Sequence, residues 1–232
     1  MRIPLEDNFN DVLGKAQRGL GLSDDQLASK AGVTPSALAN VKEGSIDEAT
    51  VRKLAGTLRF KTDALIELGR KAWYPIDRSS TAGLVLFNTP YGDITVNSFL
   101  VWDPKTSQGV CFDTGAECAG MLKFAKDRNI RIHSILLTHT HPDHIADLET
   151  LKTATEAAAF VSKLEPVVGA ETFEPGHKFT VGTLSIETRL TSGHSRGGIT
   201  YVVAGLPNRI AVVGDAMFAA SMGGGAVSYA DA

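Results

Sequence analysis

Apolar residues fall into two regimes along the chain. Up to about Gly69 they recur at helical spacing. Phe9, Val12, Leu13, Ala16 and Leu20 share one face of a first helix that Gly19 and Gly21 end. Ser23 with Gln26 reads as a capping box opening a second helix, with Leu27, Ala28 and Ala31 as its apolar face and Gly32 as its stop. Thr34-Pro35 is an N-cap followed by a first-turn proline, which starts a third helix through Leu38 and Val41. Ser45 and Glu48 read as another capping box for a fourth helix carrying Val51, Leu54, Ala55 and Leu58, and residues 62–68 make a short fifth. From Arg70 to Gly83 the periodicity lapses, with Trp73-Tyr74-Pro75 and then Ser79-Ser80-Thr81, as expected of a linker.

From Leu84 onwards strand signals take over. Leu84 to Phe87 and Ile94 to Trp102 are β-rich runs separated by turn residues, and Asp103 to Gln108 predicts a hairpin into Gly109-Val110-Cys111-Phe112. A helix is expected over 117–128 and a strand over 130–137, a succession that implies parallel pairing through a right-handed crossover. A second helix is expected over 146–158, with Asp147 in its first turn. Short strands are expected at Val161 and Val167-Val168, then a hairpin over 179–187. Two further strand-like runs end at His194 and Asp215.

The candidate chemistry is concentrated after the strand that carries Ile132, Ile135, Leu136 and Leu137. His139, His141, Asp143 and His144 follow it within six residues, and Pro142 in their midst predicts a loop rather than a regular helix or central strand. Neutral imidazoles and carboxylates at this density suit a borderline divalent ion such as zinc, manganese or iron. In extended chain His139 and His141 point to one side and can reach the same ion, while Asp143 and His144 come after the turn and can address a second. His133 and His177 have no partner at ligand spacing and are expected to be structural or solvated.

The H-x-H-x-D-H pattern at residues 139–144 resembles the metallo-β-lactamase fold superfamily. Thr191-Ser192-Gly193-His194-Ser195 matches that family's later His element and Val213-Gly214-Asp215 its bridging Asp, whereas the family's final His has no counterpart. The resemblance implies that His139, His141 and His194 hold one metal, that Asp143 and His144 hold a second, and that Asp215 bridges. It also makes Asp113, in Asp113-Thr114-Gly115, a partner that supports the metal loop without binding the ion; a plain turn aspartate is the competing account. Zinc in two sites, the second incomplete, is the expected cofactor, with iron or manganese as substitutes. A bound ion lowers the pKa of its water to roughly 7, so hydrolysis by a metal-bound hydroxide is the expected reaction, with Asp143 orienting that hydroxide or taking its proton.

The segments around His194 and Gly214-Asp215-Ala216-Met217-Phe218 are most similar to the glyoxalase II branch, which implies a thioester or a related ester or lactone as the small-molecule substrate. That branch often carries T-x-G-H-x-x-G-H, and here Gly198 stands where its second His would be. Two alternatives remain. One is a persulfide dioxygenase-like enzyme with a single iron on His139, His194 and Asp215; the other is a transcriptional regulator whose metal domain senses a ligand.

The helical region, Leu13 to Leu68, resembles the Cro/repressor-like helix-turn-helix family, including a Gly after the recognition helix, here Gly44. That resemblance places DNA contacts in residues 23–44, at Thr34, Ser36, Asn40 and Lys42. Residues 1–70 nevertheless carry as many acids as bases, so phosphate attraction is weak and binding needs the avidity of a homodimer. A helical dimerisation or docking module is the other reading of the same stretch.

The whole chain of 232 residues has a net charge of −3, which argues against a strongly basic nucleic-acid surface. Cys111 and Cys118 form no disulfide framework and read as small buried hydrophobes. The first ten residues lack the apolar run of a signal peptide and no stretch is long enough to span a bilayer, so a cytoplasmic protein without membrane contact is expected. The sequence thus predicts a multi-domain chain. An all-α helix-turn-helix domain over 1–69 and a linker over 70–83 precede an αβ/βα metallo-β-lactamase-like sandwich over 84–232, truncated at its C-terminus as a fragment would be.

Overall fold

The structure, a computed structural model, describes residues 5–76 and 81–232. Residues 1–4 and 77–80, the latter inside the expected linker and including Ser79-Ser80, lie outside the described residues. The chain forms two compact units. One comprises residues up to 77 together with Met217–Ala232, the other residues 78–216.

The first unit contains five helices: α1 (Phe9–Gly19), α2 (Asp24–Ala31), α3 (Pro35–Lys42), α4 (Glu48–Thr57) and α5 (Thr62–Gly69). Their apolar faces close on one core that includes Phe9, Leu13, Leu27, Leu38, Val51, Leu54 and Leu65. Local chemistry sets the boundaries. The Ser23 hydroxyl accepts from the Gln26 amide while the Gln26 side chain accepts from the Ser23 amide, the reciprocal box read from the sequence. Gly32 ends α2 at φ 61°, a conformation that costs an L side chain, and Thr34 caps α3 by accepting from the Ala37 amide. The cap of α4 differs from expectation. Asp47, not Ser45, accepts from the Thr50 amide, because the helix begins at Glu48 and the cap must directly precede it.

The tail makes its contacts with the helices. Residues 217–232 group with the helices instead of completing the sheet-bearing unit. Two short strands, Met217–Phe218 and Ser221–Met222, pair as a hairpin, and the residues beyond them form bends and turns. Two contacts fix the tail. Lys15 Nζ donates to the Met222 carbonyl at 3.0 Å, and the Tyr229 ring lies so close on Gly19 that a Cβ there would meet it at 2.1 Å.

In the second unit β1 (Leu84–Tyr91), β2 (Ile94–Trp102), β3 (Gln108–Phe112), β4 (Arg131–Leu136), β5 (Ala158–Ser162) and β6 (Glu171–Phe173) form one sheet in that order. The first two pairings are antiparallel and the last three parallel. Helices α6 (Ala119–Asp127), α7 (Pro142–Ile145) and α8 (Leu148–Thr155) complete the crossovers. A second, antiparallel sheet is ordered β10-β9-β8-β7, from β7 (Lys178–Val181), β8 (Leu184–Leu190), β9 (Ile199–Ala204) and β10 (Ile210–Val212).

The strand period of two sorts the first sheet's residues between its two faces. Cys111 and Ile135 pack outward under Met121, Ala125, Leu148 and Leu151 of the helices. Val110, Phe112 and Leu136 point inward against Leu184, Ile186, Ile199, Tyr201 and Val203 of the second sheet. These are the α, β and β layers of the expected sandwich. Cys111 and Cys118 are buried members of the outward cluster; burial raises both thiols, Cys118 to about 12, which leaves them inert.

Three local expectations are corrected. β1 runs through Pro90, which is tolerated because β1 is an edge strand. Val167-Val168 lies in a turn, and the strand falls at Glu171–Phe173 instead. The helix expected over 146–158 begins earlier and breaks in two, α7 and α8, because Pro142 serves as a helix-starting residue and not as a breaker. No helix among the described residues is long and apolar enough to cross a membrane.

Candidate metal centre

β4 delivers the chain to the rim of the first sheet, where three anchors shape the segment that follows. The Leu137 amide donates to the Phe160 carbonyl of β5 at 2.9 Å, and the buried Tyr201 hydroxyl of β9 donates to the Leu137 carbonyl at 2.7 Å. The Ile199 amide donates to the Thr138 carbonyl at 2.8 Å, so both sheets hold the same residues in place. Gly214 approaches from the end of β10 at φ 51°, so close that a Cβ would sit 2.4 Å from the Thr138 hydroxyl. Only glycine fits there, and Asp215 is thereby placed beside the histidines.

Four imidazoles then converge. His139 Nε2 lies 3.1 Å from His141 Nδ1, which lies 3.0 Å from His194 Nε2. Nitrogen atoms about 2.0–2.1 Å from one tetrahedral zinc ion would be roughly 3.3 Å apart, so this spacing fits three ligands of a single cation. His139, His144 and Asp215 form a second group in which one donor atom of each lies within 4.8 Å of the others. His144 Nε2 is 3.2 Å from one Asp215 oxygen and 3.5 Å from an Asp143 oxygen. His194 Nε2 is 3.5 Å from the other Asp215 oxygen. The two groups share His139.

Electrostatics sets the state of these rings. Burial, reinforced by neighbouring His144, pushes the His139 pKa down to about 3, which leaves a neutral imidazole ready to ligate. Burial also opposes charge on His144, but Asp113 and Asp215 on either side overcome it and raise its pKa to about 10 in the ion-free chain. Asp215 is held below the usual carboxylate range: burial works against this, and the hydrogen bond from His144 outweighs it. With carboxylates on one side and imidazole lone pairs on the other facing a small common space, the donor set has the chemistry of a divalent-cation site.

Asp113, itself at φ 57°, sits behind the ligands. Its carboxylate accepts from the Thr138 amide and hydroxyl, each at 2.7 Å, and faces His144 Nδ1 at 2.8 Å. A proton shared on the Nδ1 side leaves Nε2 as the free donor atom of His144. Pro142 starts α7, so Asp143 and His144 lie on a single helical turn and not on an open loop. The Thr114 amide donates to the His144 carbonyl at 2.9 Å and steadies that turn.

The His194 segment is folded as tightly. A Cβ at Gly198 would lie 2.8 Å from the Thr191 carbonyl oxygen and 3.0 Å from the Ser195 hydroxyl, so no imidazole can occupy that position in this loop. His133 and His177 are both exposed and join neither donor group among the described residues. Sequence reasoning missed Thr138, Gly214 and Tyr201, which shape the rim. Nothing in their residue types sets them apart, although Thr138 directly precedes the first ligand and Gly214 the last.

The four positions singled out on the helical unit are placed differently. Thr34 is spent on capping α3, and Lys42 Nζ is bonded to Asp24 at 2.7 Å, while Ser36 and Asn40 are exposed.

A family profile described as Metallo-beta-lactamase superfamily matches residues 91–227. A hydroxyacylglutathione hydrolase of Rhodobacter capsulatus is 32% identical over 122 residues, 50% of this chain and 47% of that protein. The probable metallo-hydrolase YqgX of Bacillus subtilis is 26% identical over 156 residues, 58% of this chain and 72% of that protein. The chain thus spans about half the length of the hydroxyacylglutathione hydrolases it matches. Among solved structures, a metallo-beta-lactamase from Staphylococcus aureus superposes with a TM-score of 0.52 at 16% identity, covering 61% of this chain and 46% of that one. ETHE1 from Myxococcus xanthus gives 0.50 at 22% identity, covering 57% and 58%. At such identities the structures speak for the fold alone, whereas the profile spans more than half of the chain. The chain belongs to the metallo-β-lactamase superfamily.

Proposed function

We propose that the chain is a metal-dependent hydrolase acting on a thioester or a related ester or lactone. The observation that carries this reading is the pair of donor groups at one sheet rim, with His139 common to both. His139, His141 and His194 would hold one ion; Asp143 and His144 would hold a second, with Asp215 between the two. A bound divalent cation supplies a water of pKa roughly 7 and polarises the acyl oxygen. The residues do the rest. Asp143, beside His144 and partly exposed, orients the attacking water and takes its proton, and Asp113 fixes the tautomer of His144. The thioester preference rests on the relatives named hydroxyacylglutathione hydrolase.

Metal analysis combined with turnover of a panel of hydroxyacylglutathione thioesters, esters and lactones tests the reading. Metal-dependent cleavage of at least one class, lost in His139→Ala, is expected. A panel left intact by the metal-loaded protein overturns it. Oxygen uptake on a persulfide by an iron-loaded protein would instead favour a single iron on His139, His194 and Asp215, whose His194 and Asp215 donor atoms are 3.5 Å apart.

For the helical unit we infer a Cro/repressor-like helix-turn-helix, supported by the order α2, left-handed Gly32, capped α3. Ser36 and Asn40 are the groups free to reach bases, and a salt-dependent shift of a specific DNA fragment is the test.

A further inference from the structure

The three imidazoles of the first donor group come from two different sheets. His139 and His141 follow β4 of the first sheet, whereas His194 stands on the connection between β8 and β9 of the second. The base of that connection is closed by its own backbone, with the Thr191 amide donating to the Gly198 carbonyl at 2.8 Å. Its tip is held from outside. Apart from those of His194 itself, the one hydrogen bond among the described residues that ties residues 192–197 to another element runs from the Gly197 amide to Glu165 Oε2, at 3.0 Å.

Glu165 is anchored on the first sheet. It lies just past β5, which pairs with β4, and its amide donates to the Ser162 carbonyl at 3.0 Å. The Lys163 amide donates to the Phe173 carbonyl of β6 at 2.9 Å, and the Lys163 side chain pairs with Glu174, which leaves the Glu165 carboxylate to the loop. The two segments are in close contact: a Cβ on Gly197 would meet Glu165 Cβ at 2.6 Å and the Glu165 amide nitrogen at 3.0 Å. Gly197 is buried, so little water competes for its amide, and a carboxylate accepting from a backbone N–H makes a stronger bond than a neutral pair.

We propose that Glu165 is a positioning residue of the metal centre. Its carboxylate holds the tip of the His194 loop against the first sheet and so sets the separation of His194 Nε2 from His141 Nδ1, which is 3.0 Å. This role rests on the reading of His139, His141 and His194 as ligands of one ion. Glu165 belongs to neither donor group. It acts through the backbone: without the bond the loop tip is free to swing, and the third imidazole is no longer held ready for the cation.

Titration of the metal-free full chain with Co(II), followed by visible absorption, tests this role without any substrate. His194→Ala identifies the binding phase that belongs to this ion. Glu165→Ala should weaken the same phase about tenfold. It should also shift the d–d bands at saturation, because a displaced imidazole changes the ligand field, whereas a variant that had merely lost stability would return the wild-type bands once saturated. Glu165→Gln keeps an acceptor oxygen for the Gly197 amide and should stay within about threefold of wild type. Gly197→Ala disturbs the same bond from the loop side and should reproduce the Glu165→Ala loss with an unchanged circular dichroism spectrum, the double variant being little worse than either single one. Wild-type Co(II) affinity and bands in Glu165→Ala overturn the role, as does a Glu165→Gln variant as impaired as Glu165→Ala. A wild-type chain that takes up no Co(II) overturns the metal reading and the role with it. A chain that binds Co(II) in the expected way but cleaves no thioester, ester or lactone loses the hydrolase reading and keeps this role.

Discussion

The rim of the sheet unit and the exposed face of α2 and α3 were both marked by motifs, yet their polar side chains are arranged on opposite principles. At the rim, His139, His141, His144, His194 and Asp215 point at one small space and answer one another only through ring nitrogens and carboxylates 3.0–3.5 Å apart. On the helical face several polar groups are satisfied locally, Thr34 by the Ala37 amide, Lys42 by Asp24, and Asp24 additionally by Gln17, while Ser36 and Asn40 remain exposed. Convergence of several donor atoms on one space is what a ligand can exploit. Local satisfaction stabilises a fold and leaves less to offer a partner.

The strongest way to break the comparison is His139→Ala. On the proposed assignment His139 is one of the three imidazoles on the first ion, so that site is left with His141 and His194 beside the shared Asp215, and its loss in metal affinity should exceed the roughly 100-fold that removing an outer hydrogen-bond partner costs. Calorimetric metal titration would show it, and turnover of any substrate should vanish. Retention of two tight ions in the variant would mean that the rim is not organised around His139.

Asp113→Asn comes next. The amide keeps the size of the carboxylate but not its charge, so His144 loses the partner that favours its Nε2-free tautomer. A fall of about 10–100-fold in affinity for the weaker ion is expected, read by titration against a competing chelator. An unchanged affinity would make Asp113 a turn residue whose bonds to Thr138 serve the fold alone.

How far the sequence exposed this arrangement depended on whether the signal was local. Gly109-Val110-Cys111-Phe112 was legible as a strand, but its residues are all apolar and both faces are buried, so only the structure shows Cys111 under the helices and Val110 and Phe112 against the second sheet. The H-x-H-x-D-H spacing marked the ligand stretch because histidines at that density have few other uses. Pro142 misled, since a proline breaks a helix in its interior but starts one at its first position, and only the flanking backbone tells which. The cap of α4 was read at Ser45 but lies at Asp47, because a cap directly precedes its helix and α4 begins at Glu48. Thr138, Gly214 and Tyr201 were silent in the sequence because their roles are long-range: Tyr201 reaches Leu137 across 64 positions. The contact of Tyr229 with Gly19 was silent for the same reason, as it pairs two residues at opposite ends of the chain.

Tyr201→Phe measures one of those silent contacts. It removes a buried hydroxyl and leaves the Leu137 carbonyl without its 2.7 Å donor, while the aromatic body stays packed on Phe112 at 5.2 Å between ring centres. A loss of about 1–3 kcal/mol in urea unfolding of the sheet unit is expected. A smaller change would mean that the strand end is held by the Leu137 amide and the Ile199 bond without help from the second sheet's tyrosine.

The smallest effect belongs to the helical face and sharpens the comparison most directly. Lys42→Ala breaks an ion pair whose side chains are 38% and 61% exposed, so the expected change in stability is at most about 1 kcal/mol. Its effect on DNA is the discriminating quantity. If Lys42 stays with Asp24 when a fragment binds, the variant keeps the wild-type dependence of log affinity on log salt. If Lys42 leaves Asp24 for a phosphate, the slope falls by about one. Breaking the pair from the other side, with Asp24→Asn, should then strengthen binding, because the lysine no longer has to abandon a carboxylate before it meets the backbone. Opposite signs for the two variants would show that local satisfaction, and not a missing cation, is what separates this face from the rim.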